Sequence, residues 1–225
     1  MITAFDISHH NGKDVATLLR DVDDKPPFLY IKMSEGLTII QKDYFYMMLE
    51  EAKNSGIIVG GYHYCNPSNS KLNNLDKTAA STEASRLSTI SNLTELVPML
   101  DVEEKYMLLD RQHLARYLDM LFYSYMTSTN GKKAGIYASY SLLTEDCIQN
   151  VIRDYNLVVW CARYKYESAH LACDSSMLDV SRYLQTTIDD IPVDINQFAK
   201  RYYDSRGKEW SLDCNVVFNP LRLLK

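Results

Sequence analysis

The sequence predicts an irregular, TIM-like α/β barrel of the (β/α)5(β)3 kind, formed by a single domain over residues 1–225. Three observations predict it. Short apolar runs alternate with segments of helical period through most of the chain, which is the signature of strand and helix alternation. Three apolar runs then close the sequence with little helix between them. The runs also end repeatedly in polar, chemistry-bearing residues, as barrel strands do on the face where the loops gather. The chain length suits one such unit. A doubly wound open sheet is the competing arrangement of the same elements.

Taken in order, the first strand spans Ile2 to Ile7 and runs into Ser8-His9-His10-Asn11-Gly12. A helix follows on the spacing of Val15, Leu18, Leu19 and Val22. The second strand, Phe28 to Met33, ends in Ser34-Glu35-Gly36, and the next helix carries Phe45, Met48, Leu49 and Ala52 before stopping near Gly56. The third strand is Ile57 to Tyr64. The polar stretch from Asn66 to Lys77 reads as a loop, and a weaker helix covers Leu75 to Ile90 with Ala80, Ala84 and Leu87 inward. The fourth strand is Val97 to Val102. The clearest helix, Arg111 to Met126, shows a stripe of Leu114, Tyr117, Leu118, Leu121, Phe122 and Tyr125 that reads as a core face. The fifth strand is Ala134 to Ala138, followed by a helix with Ile148, Val151, Ile152 and Tyr155 inward. The last strands are Leu157 to Ala162, Val193 to Phe198 and Leu212 to Phe218.

Composition narrows the function. A formal charge of −5 offers no basic stripe to neutralise phosphates, so no nucleic-acid partner is expected. The five cysteines (Cys65, Cys147, Cys161, Cys173 and Cys214) are odd in number and lack a C-x-x-C pair. They read as reduced, mostly buried thiols, with neither a disulfide framework nor a zinc site. The N-terminus carries no basic and apolar leader, and no run approaches the ~18 apolar residues of a membrane span, so neither an export signal nor membrane insertion is expected. The sequon Asn92-Leu93-Thr94 carries no weight without a secretory context.

The fourth strand ends in Asp101-Val102-Glu103. Two residues apart on a strand, the carboxylates project from one face with Cα atoms ~6.5 to 7 Å apart. If one stays ionised, its charge helps keep the partner protonated near neutral pH, as a general acid requires. On spacing alone such a pair is more often a solvated loop start. His9, His10 and His63 near Asp6 open a second class, a metal-dependent deacetylase or phosphodiesterase on a similar barrel. Their blander reading is hydrogen-bonded structural histidines.

The strand ends together change those odds. Asp6-Ile7-Ser8 with Asn11-Gly12, Ile31-Lys32-Met33-Ser34-Glu35-Gly36, Gly60-Gly61-Tyr62-His63-Tyr64, Leu100-Asp101-Val102-Glu103, Gly135-Ile136-Tyr137 and Trp160-Cys161-Ala162-Arg163-Tyr164 follow one another along the chain. In that order they resemble the Chalaropsis-type lysozymes of glycoside hydrolase family 25, which include bacteriophage endolysins. The family pattern ends with a Gln-bearing strand and a later Asp-hydrophobic-Asn segment. Val193-Asp194-Ile195-Asn196-Gln197-Phe198 matches the first. Leu212-Asp213-Cys214-Asn215, with Asp213 sixteen residues after Gln197, matches the second. Asp213 is therefore the expected last acid, with Asp194 in reserve. Asn196 stands where the family usually has an aromatic residue, and Ala199-Lys200 where Thr or Ser usually follows, which implies an altered sugar platform on that side.

The resemblance implies an N-acetylmuramidase that cleaves the β-1,4 bond from N-acetylmuramic acid to N-acetylglucosamine in bacterial peptidoglycan. Glu103 would be the general acid, with Asp101, Asp6 and Asp213 completing an acidic site. Tyr62, Tyr137, Trp160, Tyr164, Gln197 and Lys32 would bind substrate. For the aromatic groups core packing is an equal reading, because the chain has 17 tyrosines and most must be structural. For Lys32, a structural ion pair with Glu35 is the stronger alternative. No cofactor is implied, and a monomer acting on the wall outside the membrane is expected, as a pore-released endolysin or a trimmed secreted enzyme. A barrel that binds wall glycan without cutting it is the third hypothesis.

Overall fold

A computed structural model describes residues 2–13, 16, 19, 26–37, 39–67, 74–103, 110–163, 186–203 and 209–225. The eight expected strands are all present: β1 (Ile2–Ile7), β2 (Phe28–Glu35), β3 (Ile58–Tyr64), β4 (Met99–Val102), β5 (Gly135–Ser139), β6 (Val158–Ala162), β7 (Ile195–Ala199) and β8 (Asp213–Val217). They pair in chain order, and β1 closes on β2 in parallel register from Ala4 opposite Phe28 to Ile7 opposite Ile31. The open sheet is thereby excluded. β8 runs antiparallel to both its neighbours, β1 and β7, while the other pairings are parallel.

Alternation along each strand sorts the side chains into two shells. Those pointing inward include Ala4, Phe28, Tyr30, Tyr62, Met99, Val158, Trp160, Ile195 and Val217, and Leu223 from the C-terminal turn plugs the floor with them. Gly60 lies opposite Tyr30 in the β2–β3 register, and a Cβ there would come within 2.3 Å of the Tyr30 ring. The missing side chain is what lets that fully buried ring cross the barrel, where it packs 5.0 Å from Trp160 and donates its hydroxyl to Val97 O.

The outward-facing residues pack under the helices α1 (Lys42–Asn54), α2 (Lys77–Leu93), α3 (Arg111–Thr129) and α4 (Asp146–Asp154). α1 buries Phe45, Met48, Leu49 and Ala52, the stripe that the spacing predicts. α3 buries its expected face too. It starts on the Asp110 side chain, which accepts from Gln112 N, and stops at Asn130 in the left-handed conformation. α2 starts two residues later than expected, at an Asp76 cap on Ala79 N. Of the helix expected at residues 15–22, the described Ala16 and Leu19 are helical and buried.

Candidate active site

Inside the barrel the inward positions change character along the strands. Apolar side chains fill the floor. At the other end, where β1 to β7 finish and the antiparallel β8 begins, Asp6, Tyr62, Asp101, Glu103, Tyr137, Trp160, Gln197 and Asp213 line a solvent-open cleft of ≈ 350 Å³. All four expected acids meet there. Asp213 arrives because β8 is reversed: its first residue lies opposite Asp6, almost the last of β1. Asp194 precedes β7 and so sits at the opposite end, fully buried, accepting from Val159 N and pairing with Arg222 at 3.2 Å. The geometry thus selects Asp213 over Asp194 for the cleft.

Asp6 is held from two sides on one oxygen. Its Oδ2 accepts from Gln197 Nε2 at 3.0 Å and from Asn215 Nδ2 at 2.8 Å. Each amide is held in turn, Gln197 Oε1 by the Tyr137 hydroxyl at 2.7 Å and Asn215 Oδ1 by Trp160 Nε1 at 2.8 Å. Glu103 is exposed at the cleft mouth, where its Oε2 accepts from the Tyr64 hydroxyl at 3.2 Å. Lys32 does not line the cleft. Its ammonium pairs with Glu35 at 2.9 Å and lies 4.4 Å from the centroid of the Tyr64 ring, and Asn66 Nδ2 donates to the other Glu35 oxygen. Lys32 therefore supports the wall beside the cleft, as the ion-pair reading expects.

Burial governs the carboxyl groups. Desolvation, then the charge of Asp213, pushes Asp6 well above the usual carboxylate range against the two amide hydrogen bonds. Desolvation, then the charge of Glu103, does the same to Asp101, with Lys32 opposing. Asp213 is pushed up to about 6, chiefly by burial, with Lys200 opposing. Burial thus works against an ionised Asp101: the side chain is buried and its Oδ1 has no hydrogen-bond partner among the described residues. Tyr62 stays a neutral phenol, since burial and the surrounding acids raise it.

The histidines lie elsewhere. His9 and His10 are exposed on a short 3-10 turn after β1. His63 points outward from β3 into a buried network, with Nδ1 2.9 Å from Ser34 Oγ and Nε2 3.7 Å from Glu83. Glu83 also accepts from Cys65 Sγ, Asn66 N and Tyr117 OH. These placements favour structural histidines over a metal set beside Asp6. Asn196 likewise faces outward, donating to Cys161 O, so its departure from the family pattern lies behind the sheet, whereas the charge of Lys200, the other departure, acts on Asp213 in the cleft. Tyr164 falls outside the described residues. Asn215 and Tyr64 are site residues that were not singled out from the sequence. The first was signalled by its position two residues after Asp213, on the same face. The second was signalled likewise, two residues after Tyr62 on the same face of β3, but its partner was not, because the contact joins residues 39 apart.

Comparison with known proteins agrees with the geometry. No curated protein matches the sequence. Solved structures do. A family 25 glycosyl hydrolase from Bacillus anthracis superposes with a TM-score of 0.68 at 20% identity, covering 97% of this chain and 89% of that one. A muramidase from Acremonium alcalophilum gives 0.62 at 21% identity over 96% and 93%. The catalytic domain of endolysin ply40 from bacteriophage P40 of Listeria monocytogenes gives 0.60 at 19% over 99% and 95%. At such identities these likenesses establish the shared barrel. The sequence itself supplies the rest: the model of Glycosyl hydrolases family 25 matches residues 5–185, from the strand bearing Asp6 past the strand bearing Trp160, and the chain belongs to that family.

Proposed function

We propose that the chain is a lysozyme that hydrolyses the β-1,4 bond between N-acetylmuramic acid and N-acetylglucosamine in peptidoglycan. The observation that carries this reading is the convergence of Asp6, Asp101, Glu103 and Asp213 with the Tyr62 and Tyr137 rings in one open cleft. Glycoside hydrolysis needs a proton for the leaving oxygen and negative charge for the oxocarbenium-like transition state.

Glu103 is the general acid. It is the acid at the cleft mouth, within reach of a glycan lying across it, and Tyr64 fixes the direction of its carboxyl by donating to Oε2. Asp101, buried beside it, answers the change of charge as Glu103 gives up its proton. Asp6 and Asp213 form the opposite wall, where negative charge stabilises the developing cation or orients the substrate's acetamido group. Tyr62 and Tyr137 offer flat faces with polar tips to the sugar rings. Trp160, 2% exposed, forms the floor under them. Residues 1–225 act as one catalytic unit, as a monomer, on the wall outside the membrane. Among the described residues no helix is long and apolar enough to cross a bilayer.

The test is release of reducing ends from purified walls across pH. Glu103→Gln lowers the rate at least ~100-fold while the fold is kept. Wall binding by the wild type without new reducing ends at any pH contradicts catalysis and favours a glycan-binding barrel. Activity abolished by EDTA and restored by zinc favours the metal-dependent class.

A further inference from the structure

Of the two amides that hold Asp6, Asn215 is itself held in a way that leaves it only one orientation. The indole Nε1–H of Trp160 is a donor with no acceptor capacity, so the group of Asn215 facing it must be the carbonyl oxygen. The Asn215 NH2 is thereby turned toward Asp6. On the other arm the Tyr137 hydroxyl donates to Gln197 Oε1, and the Gln197 NH2 is turned toward the same carboxylate oxygen. Both donors converge on Oδ2. Trp160 itself is 2% exposed, wedged between the rings of Tyr30 and Tyr137 at centroid distances of 5.0 and 5.1 Å. Little of its face is left for a sugar.

We propose that Trp160, acting through Asn215, is a positioning residue for Asp6: it locks the amide so that Oδ2 accepts two N–H groups and the other oxygen, Oδ1, is the one that takes or shares a proton. The argument is one of valence. An sp² carboxylate oxygen presents two lone-pair sites, and both on Oδ2 are occupied by N–H donors, which leaves no room for an O–H there. Asp6 lies opposite Asp213 in the β1–β8 register, and both carboxyls line the same cleft. Burial and the charge of Asp213 drive Asp6 toward protonation, and the two hydrogen bonds oppose them. Loss of the Trp160 N–H leaves the Asn215 amide oriented only by its long 3.3 Å bond from Nδ2 to Asp213 O, so its donation to Asp6 weakens. The role is distinct from sugar stacking, and it rests on the lysozyme reading only where activity is measured.

The experiment uses the full chain and pairs kinetics with a substrate-free readout. The Asp6 carboxyl carbon is titrated by NMR and assigned with Asp6→Asn. Trp160→Phe, which keeps most of the ring and deletes the donor, is expected to raise the Asp6 midpoint by about one pH unit, and where Asp6 must be ionised to lower kcat about tenfold with KM within about twofold. The acidic limb of the pH profile moves up with it. Tyr137→Phe, on the more exposed arm, shifts the midpoint in the same direction by a smaller amount; if Trp160→Phe does not fold, Asn215→Leu, which removes the amide through which Trp160 acts, decides the matter, an unmoved Asp6 midpoint overturning the proposal. In an Asn215→Leu background the Trp160 substitution adds no further shift, because its effect passes through Asn215. A raised KM with unchanged kcat, pH limb and Asp6 titration overturns the proposal and makes Trp160 a sugar platform. A shifted titration in a protein that cleaves no glycan keeps the positioning role and sinks the lysozyme reading instead.

Discussion

Asp213 illustrates how the cleft trades stability for charge. The carboxyl is pushed up to about 6 by burial and by Glu103 despite Lys200, whereas an unfolded chain returns it to the ordinary value of 3.8. The folded state therefore holds the Asp213 proton more tightly than the unfolded state does. Its contribution to stability is fully present below the unfolded value and is lost as the pH rises through about 6. A rise of this size corresponds to a cost of roughly 2 to 3 kcal/mol for keeping Asp213 ionised at pH 7, at about 1.4 kcal/mol per pH unit. Asp213→Asn keeps the shape and removes the charge. It is expected to stabilise the protein at pH 7 by up to that amount, raising Tm by roughly 5 to 10 °C for a chain of this size. Near pH 4, where the native carboxyl is already protonated, the gain shrinks to near zero. Urea unfolding of both proteins at the two pH values makes the measurement, with wall cleavage followed in parallel and expected to fall sharply. An Asn variant no more stable than the wild type at pH 7, or a gap that is the same at both pH values, refutes the reasoning.

Three further substitutions probe the scaffold that carries the site. Gly60→Ala places a Cβ 2.3 Å from the Tyr30 ring, well inside contact distance, and should cost roughly 2 to 4 kcal/mol in urea unfolding, with Tyr30→Leu relieving much of it in the double variant; a change below ~0.5 kcal/mol contradicts the close approach. Glu83→Leu removes the acceptor that Asn66 N–H, the Tyr117 hydroxyl and the Cys65 thiol share in a buried layer and should destabilise by about 3 kcal/mol or more, whereas a near-neutral result means the network relaxes around an apolar side chain. Leu223→Ala opens a hole in the barrel floor beneath Trp160 and should cost about 2 to 5 kcal/mol, with thermal unfolding as the check.

The barrel was largely legible because its information is local and periodic. Stripes such as Phe45, Met48, Leu49 and Ala52 declare which face of a helix is buried, and the alternation of apolar runs with such stripes orders the strands before any contact is known. The acids were legible because they fall at strand ends, and the choice of Asp213 over Asp194 follows from one structural fact. A reversed last strand carries its site residue at its start, while Asp194, at the start of a parallel strand, belongs to the floor. What stayed hidden depends on burial and on pairing across the chain. The burial that raises Asp101 cannot be read from its spacing to Glu103. The Tyr64 to Glu103 contact depends on the pairing of β3 with β4, and the route from Trp160 through Asn215 to Asp6 joins three strands far apart in the chain. Asn196 misled for the same reason: its departure from the family pattern is visible in sequence, but not that it faces away from the cleft.

The central claim is that this cleft cuts one particular bond with Glu103 as the acid. Peptidoglycan digested by the full chain, reduced with borohydride and hydrolysed to its sugars tests it most directly. The account predicts muramitol at the new ends with the wild-type protein and none above background with Glu103→Gln; glucosaminitol at the new ends, or undiminished cleavage by the variant, contradicts it.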